Sequence, residues 1–215
     1  MVKSYIRYQV FISSTYDDLR DERESVSWAI MQLGHIPAGM EVLTAKNDRG
    51  WDTIKYAIDD SDYYVLILAG RYGTVEEEWG QSWTHHEYEY AVSKGLPVLA
   101  FIRNTSSITA DQIETNSRSH KLLKTFIDQV RRSHLTKSWS LKADLAAEVT
   151  AALIAQINED LRTGRNKLGW SRGTPLMNHM PLVSFASPLP NSTSNTATDE
   201  TSLRLFQSLD MLSHT

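Results

Sequence analysis

The chain has no cysteine, which excludes disulfides, thiolate nucleophiles and cysteine-ligated zinc or iron–sulfur centres together. It has no run near the roughly 18 consecutive apolar residues that a membrane-spanning helix needs, and its opening MVKSYIRYQV lacks the apolar stretch of a signal peptide. A cytoplasmic location and no membrane partner are the expectations. An excess of positive charge is missing too. With 22 Lys and Arg against 26 Asp and Glu, direct binding to duplex nucleic acid, which relies on clustered cations displacing counterions, is not expected. The phosphate cradles G-x-G-x-x-G and G-x-x-x-x-G-K-[ST] are absent, as is the nucleophile elbow G-x-S-x-G. Dinucleotide redox chemistry, nucleoside-triphosphate hydrolysis and serine hydrolysis therefore lack their usual machinery.

What the 215 residues do contain is an alternation of two periodicities. Apolar, β-branched runs at Tyr8 to Ser13, Ile36 to Leu43, Tyr63 to Ala69 and Pro97 to Ile102 read as strands, with a weaker one at His134 to Trp139. Between them, helical spacing marks Leu19 to Leu33, Trp51 to Ile58, Trp83 to Ser93, Lys121 to Val130 and Leu145 to Leu161, with Gly34 and Gly95 as stops. Strands that are apolar throughout and alternate with helices predict an α/β fold, a doubly wound, flavodoxin-like parallel sheet of five strands covered on both faces. The expected strand order is 2-1-3-4-5, and a ligand would then sit beyond the carboxyl ends of the strands where the winding reverses.

This domain is expected to span residues 1–165. Residues 166–215 read as a Ser/Thr/Pro-rich linker, since four of the six prolines fall after residue 171 and too little apolar surface is present to order the segment. Near its end Leu205, Phe206, Leu209 and Leu212 recur at helical spacing behind Asp199 and Glu200. That amphipathic turn fits a segment folding back on its own domain and equally a docking peptide for a partner.

Three segments frame the expected site: Ser13-Ser14-Thr15-Tyr16-Asp17, Gly70-Arg71-Tyr72-Gly73, and Ser82 to Glu89. Ser13, Ser14 and Thr15 end a strand before a helix and offer hydroxyls and free amides to a polar sugar or phosphate. Thr15 with Asp18 fits a capping box as well. The neighbouring Asp17 and Asp18 favour a ribose or base edge over a bare phosphate. Arg71 suits a phosphate, or a pairing with one of Glu76, Glu77 and Glu78; Tyr72 suits a base, and Trp79 and Trp83 a platform or ordinary packing. Glu87 lies about one turn into its helix, with Trp83 four residues earlier on the same face. A carboxylate there can stabilise the oxocarbenium-like sugar formed when an N-glycosidic bond breaks. Thr84 to Glu87 also has the spacing of a capping box, in which Glu87 would only tie off an amide. His85 and His86, adjacent on a helix, point about 100° apart and do not make a metal site.

The motifs V-F-I-S-S-T-Y-D-D-L-R-D-E-R (Val10 to Arg23), L-G-H-I-P-A-G-M-E (Leu33 to Glu41), D-D-S-D-Y-Y-V-L-I-L-A-G-R-Y-G (Asp59 to Gly73), S-W-T-H-H-E-Y-E-Y-A (Ser82 to Ala91) and K-G-L-P-V-L-A-F (Lys94 to Phe101) resemble an uncharacterised TIR-like domain family over about residues 6–160. Members of that family often stand at the N-terminus of signalling and defence proteins that carry NTPase or repeat modules. In TIR domains that cleave NAD, the catalytic glutamate follows a tryptophan by four residues at the head of a helix, the spacing of Trp83 and Glu87. The stretch from Ser82 to Val98 is also similar to the glutamate-bearing helix of nucleoside deoxyribosyltransferases.

The resemblance implies a TIR-like effector in immune or antiphage defence that splits NAD or a related nucleotide. Glu87 would be catalytic, with Trp83 and Tyr72 stacking, Ser13, Ser14 and Thr15 positioning, and Arg71 on phosphate. NAD enters as substrate, with no cofactor and no metal. A homo-oligomer and a separate activating or sensor protein are the implied partners. The alternative is a non-catalytic module that binds a nucleotide signal or oligomerises, since many TIR domains only assemble. Thr84 departs from the cysteine that commonly follows the TIR tryptophan, and the Ser13-Ser14-Thr15 loop departs from the usual one.

Overall fold

Tyr63 to Leu68, the most hydrophobic run of the chain, is a strand in which all six residues are buried. It is the centre of the fold. The computed structural model describes residues 6–39 and 50–171. Five parallel strands form the main sheet: β2 (Gln9–Ser13), β3 (Ile36–Ala38), β4 (Tyr63–Leu68), β7 (Val98–Arg103) and β8 (Thr136–Trp139). Their spatial order is β3-β2-β4-β7-β8, which is 2-1-3-4-5 in the sequence of these strands, as expected. Register is fixed by pairs such as Ser13 with Leu66 and Ile67 with Phe101.

Alternation along the strands splits the core into two layers. Val10, Ile12, Tyr63, Val65 and Ile67 face one side, under α1 (Arg20–Gln32) and α5 (Lys142–Thr163), which bring Leu19, Val26, Ile30, Leu145, Val149 and Leu153. Phe11, Tyr64, Leu66 and Leu68 face the other, under α2 (Trp51–Asp59), α3 (Trp83–Ser93) and α4 (Ser117–Ser133), whose contributions include Ile58, Tyr88 and Phe126. Each fully buried aliphatic or aromatic side chain of this kind contributes about 1.5–3 kcal/mol.

Local chemistry moved some boundaries. α4 begins at Ser117, four residues before the expected start at Lys121, because the Asn116 side chain accepts from the amides of Arg118 and Ser119. The segment from Gly70 to Ser82, expected as loop, contains a short antiparallel hairpin of β5 (Val75–Glu76) and β6 (Gln81–Ser82), turning through Gly80 at φ 66°. β1 (Ile6–Arg7) pairs antiparallel with β9 (Trp170–Ser171) in a second ribbon. Beside it a Cβ on Gly169 would press on the Arg7 carbonyl.

The chain divides into a unit of Met1–Gly173 and one of Thr174–Thr215. The whole second unit, including Leu205, Phe206, Leu209 and Leu212, lies outside the described residues, as does the end of the expected strand beyond Gly39. No helix among the described residues is long and apolar enough to cross a membrane.

Candidate functional site

At the carboxyl ends of β2 and β4 the winding of the sheet reverses, since β3 lies on one side of β2 and β4 on the other. A crevice of about 920 Å³ opens there. Its walls come from the segment after β2 (Ser14, Thr15, Tyr16, Asp17, Asp18), from Arg71 and Gly73 after β4, from the head of α3 (Trp83, Thr84, Glu87), and from 110–115 ahead of α4.

The head of α3 decides how Glu87 is used. Its N-cap is Ser82, whose hydroxyl accepts from the His85 amide at 3.3 Å. With Ser82 as N-cap, the third helical position is His85 and Thr84 lies inside the helix, so Glu87 lies beyond the first turn and out of the capping-box position. Its side chain is 2% exposed and turned toward the end of β2, where the Ser13 hydroxyl donates to Oε2 at 2.5 Å. Thr15 and Asp18 do not cap α1 either: its N-cap is Leu19, with no side-chain capping bond. Thr15 Oγ1 is buried and finds no protein partner, while its residue lines the crevice.

Two further buried residues join this edge. Arg23, 1% exposed, donates from Nη1 to Ser14 Oγ at 3.0 Å, and the Ser14 hydroxyl in turn donates to the Thr15 carbonyl at 2.8 Å. Tyr64 is fully buried on β4. Burial and the Glu87 carboxylate push its phenol well above the ordinary value, with the Ser13 hydroxyl and the Arg23 guanidinium opposing. Sequence reasoning missed both. The signal for Arg23 was available: it falls on the helical stripe Leu19, Arg23, Val26, Ile30, where a charge in place of an apolar side chain requires a buried counterpart.

The other expected residues divide. Ser14, Thr15, Arg71 and Trp83 line the crevice with Glu87, and Ser13 lies just behind it, bonded to Glu87. Arg71 pairs with none of Glu76, Glu77 and Glu78 among the contacts found; its Nη2 donates to the Asp111 carbonyl at 2.7 Å. That contact belongs to a set joining the loop after β4 to 110–114: the Glu114 amide donates to the Gly70 carbonyl at 2.8 Å, and a Cβ on Gly70 would collide with the Gln112 carbonyl. Segment 110–115 carried no periodic signal, since distant contacts hold it. Tyr72 does not stand on the crevice wall. It is 2% exposed and bonds His85 Nδ1 at 2.8 Å, because its ring is packed into the core beneath α3 and α4.

The adjacent histidines go separate ways, as their 100° offset requires. His85 stacks on Phe126 at 4.0 Å and meets Gln129 Oε1 at 3.2 Å, and burial pushes its imidazole below the ordinary value. His86 stacks on Trp79 at 4.1 Å and touches Trp51 at 4.3 Å. Trp79 in turn meets Trp83 at 4.9 Å, so the aromatic wall of the crevice is braced by the hairpin and by α2. Among the described residues no group of three His, Asp or Glu side chains could hold a metal ion.

Charge gives the crevice its chemical preference. Among the described lining residues, Asp17, Asp18, Glu87, Asp111 and Glu114 face one cation, Arg71. Such a wall favours a ligand or transition state with positive character and repels free phosphate. The arrangement thus offers a buried carboxylate, a stacking surface and a hydroxyl awaiting a partner within one concavity.

The family described as "Domain of unknown function (DUF4062)" matches residues 9–154. No curated protein matches the chain. Among solved structures the chain is similar to the TIR domains of an activated Roq1 resistosome directly recognizing the pathogen effector XopQ, with 14% identity and a TM-score of 0.40 over 72% of this chain and 99% of that one.

Proposed function

We propose that the chain, which belongs to the DUF4062 family, is a TIR-like effector that cleaves the N-glycosidic bond of NAD or a related nucleotide, acting in immune or antiphage defence in assembly with a partner protein. The observation that carries this reading is the placement of Glu87: a carboxylate 2% exposed, aligned by Ser13, and on the wall of a crevice where the sheet's winding reverses.

The chemistry asks for little else. The bond between the ribose anomeric carbon and the pyridinium nitrogen breaks with its electron pair going to the ring, so nicotinamide leaves neutral. The sugar is left as an oxocarbenium-like cation. A carboxylate held in low dielectric stabilises that charge far better than one in water, and its alignment is set before the reaction starts. Water then adds to the anomeric carbon and releases a proton. Trp83 supplies a face for stacking, the unpartnered Thr15 hydroxyl a bond to the ribose, and Arg71 the countercharge for a phosphate at the outer rim.

The test is incubation of the full chain with NAD, with and without a candidate partner, following nicotinamide release. Turnover that disappears in Glu87→Gln supports the assignment; full activity in that variant ends it. A second reading, a module that binds a nucleotide signal without turning it over, is favoured by the depth of Glu87. It predicts stoichiometric ligand, no nicotinamide under any condition, and loss of that ligand in the same variant.

A further inference from the structure

We propose that Arg23 is the positioning residue of this site, forming an ion pair with Glu87 that crosses the end of β2 and joins the two helical layers. The two side chains approach from opposite sides of the sheet, Arg23 from α1 and Glu87 from α3. They meet consecutive residues of one strand end: Arg23 Nη1 bonds Ser14 Oγ at 3.0 Å, and Ser13 Oγ bonds Glu87 Oε2 at 2.5 Å. Neighbouring strand residues point to opposite faces, so this is the place where the two layers come within reach of each other.

The Tyr64 phenol registers both charges, raised by the carboxylate and lowered by the guanidinium. All five side chains are buried: Arg23 1%, Ser13 1%, Ser14 5%, Glu87 2% and Tyr64 0% exposed. A guanidinium this deep is strongly penalised unless an anion lies beside it. Among the described residues the buried carboxylates are Glu87 and Asp160, and Asp160 belongs with Tyr8 and Tyr63 at the other end of the sheet. Glu87 is therefore the partner available to Arg23.

The pair has a catalytic consequence that rests on the proposed glycosidase reading, although the pair itself does not. A carboxyl group buried without a countercharge takes up a proton, and a neutral acid cannot stabilise a sugar cation. Arg23 supplies that countercharge and aims Glu87, which stays on the wall of the crevice. Arg23 itself touches no reacting atom.

A double-mutant cycle tests the pair on the full chain: Arg23→Met, Glu87→Gln and the double variant, each followed by thermal unfolding. The expected result is that Arg23→Met lowers the midpoint clearly in the native background and by less than about half as much when Glu87 is already Gln. Equal shifts in both backgrounds would overturn the pair. Should Arg23→Met not fold, Arg23→Gln in the same cycle gives the same decision.

Turnover of NAD adds the readout that a packing role would not move. Arg23→Met is expected to lower kcat roughly tenfold or more with KM nearly unchanged, and Arg23→Lys to recover much of it by restoring charge. A rise in KM alone, or no recovery with Lys, refutes the positioning role. If the native chain releases no nicotinamide either alone or with a partner, the glycosidase reading fails while the thermal cycle still judges the ion pair.

Discussion

Two carboxylates are buried at opposite ends of the same sheet, and their surroundings separate a candidate site from a structural clamp. Asp160, 3% exposed, sits in the last turn of α5. It accepts from Gln156 Nε2 at 3.0 Å, faces Arg165 Nε at 3.6 Å, and its backbone carbonyl caps the helix through the Arg165 amide. Apart from the Tyr63 and Tyr8 phenols, which burial and Asp160 push up, these partners lie within a few residues along the chain. Glu87 is as deeply buried, but its serine partner is 74 residues away and it lines a crevice. Burial of a carboxylate by itself marks neither function nor structure. The adjoining concavity is what separates the two.

The comparison can be broken most sharply by the paired variants Glu87→Gln and Asp160→Asn. Glu87→Gln is expected to reduce nicotinamide release by about 10²–10³-fold, the usual effect of removing one preorganised electrostatic group. Asp160→Asn is expected to leave that rate unchanged and to lower stability in chemical denaturation by about 1–3 kcal/mol, the range for a disturbed buried polar group. A reversal of these two outcomes would show that the roles had been exchanged.

Smaller effects sharpen the contrast. Ser82→Ala removes the cap that orients the head of α3 and is expected to cost about 1 kcal/mol in denaturant unfolding, with a modest loss of turnover because Glu87 rides on that helix. Next comes acid. Burial holds His85 below its ordinary value of 6.5, so on acidification the unfolded chain takes up the proton before the folded one does. The stabilisation is complete above that value and is lost as the pH falls below it; His85→Gln is expected to flatten the decline of the unfolding midpoint between neutral pH and pH 5. The smallest change is Glu159→Gln beside Asp160, which removes an exposed pair with Arg162 at 2.8 Å and should shift stability by less than about 1 kcal/mol.

Much of this architecture was legible in the residues. Tyr63 to Leu68 announced a central strand because it is apolar throughout, and the five strands took the order that right-handed crossovers favour. Glu87, Ser14, Thr15, Arg71 and Trp83 came together as their positions after successive strands implied. Tyr72 did not, because the chain between Gly70 and Gly73 gives no indication of which of two neighbouring side chains turns inward. Segment 110–115 was equally silent, being fixed by the carbonyl of Gly70 and the guanidinium of Arg71 and not by any pattern of its own.

Periodicity thus determined the sheet, its helices and the edge at which a ligand would lie, because apolar spacing alone dictates which faces must be buried. Tertiary structure decided the meaning of individual polar residues. Whether Glu87 capped its helix or faced a crevice depended on the helix starting at Ser82 and not at Thr84, and whether Arg23 was a surface charge depended on how α1 lay against the end of β2. Hydrogen bonds and ion pairs act over a few ångströms, and only the folded chain sets distances of that kind between residues that are tens of positions apart.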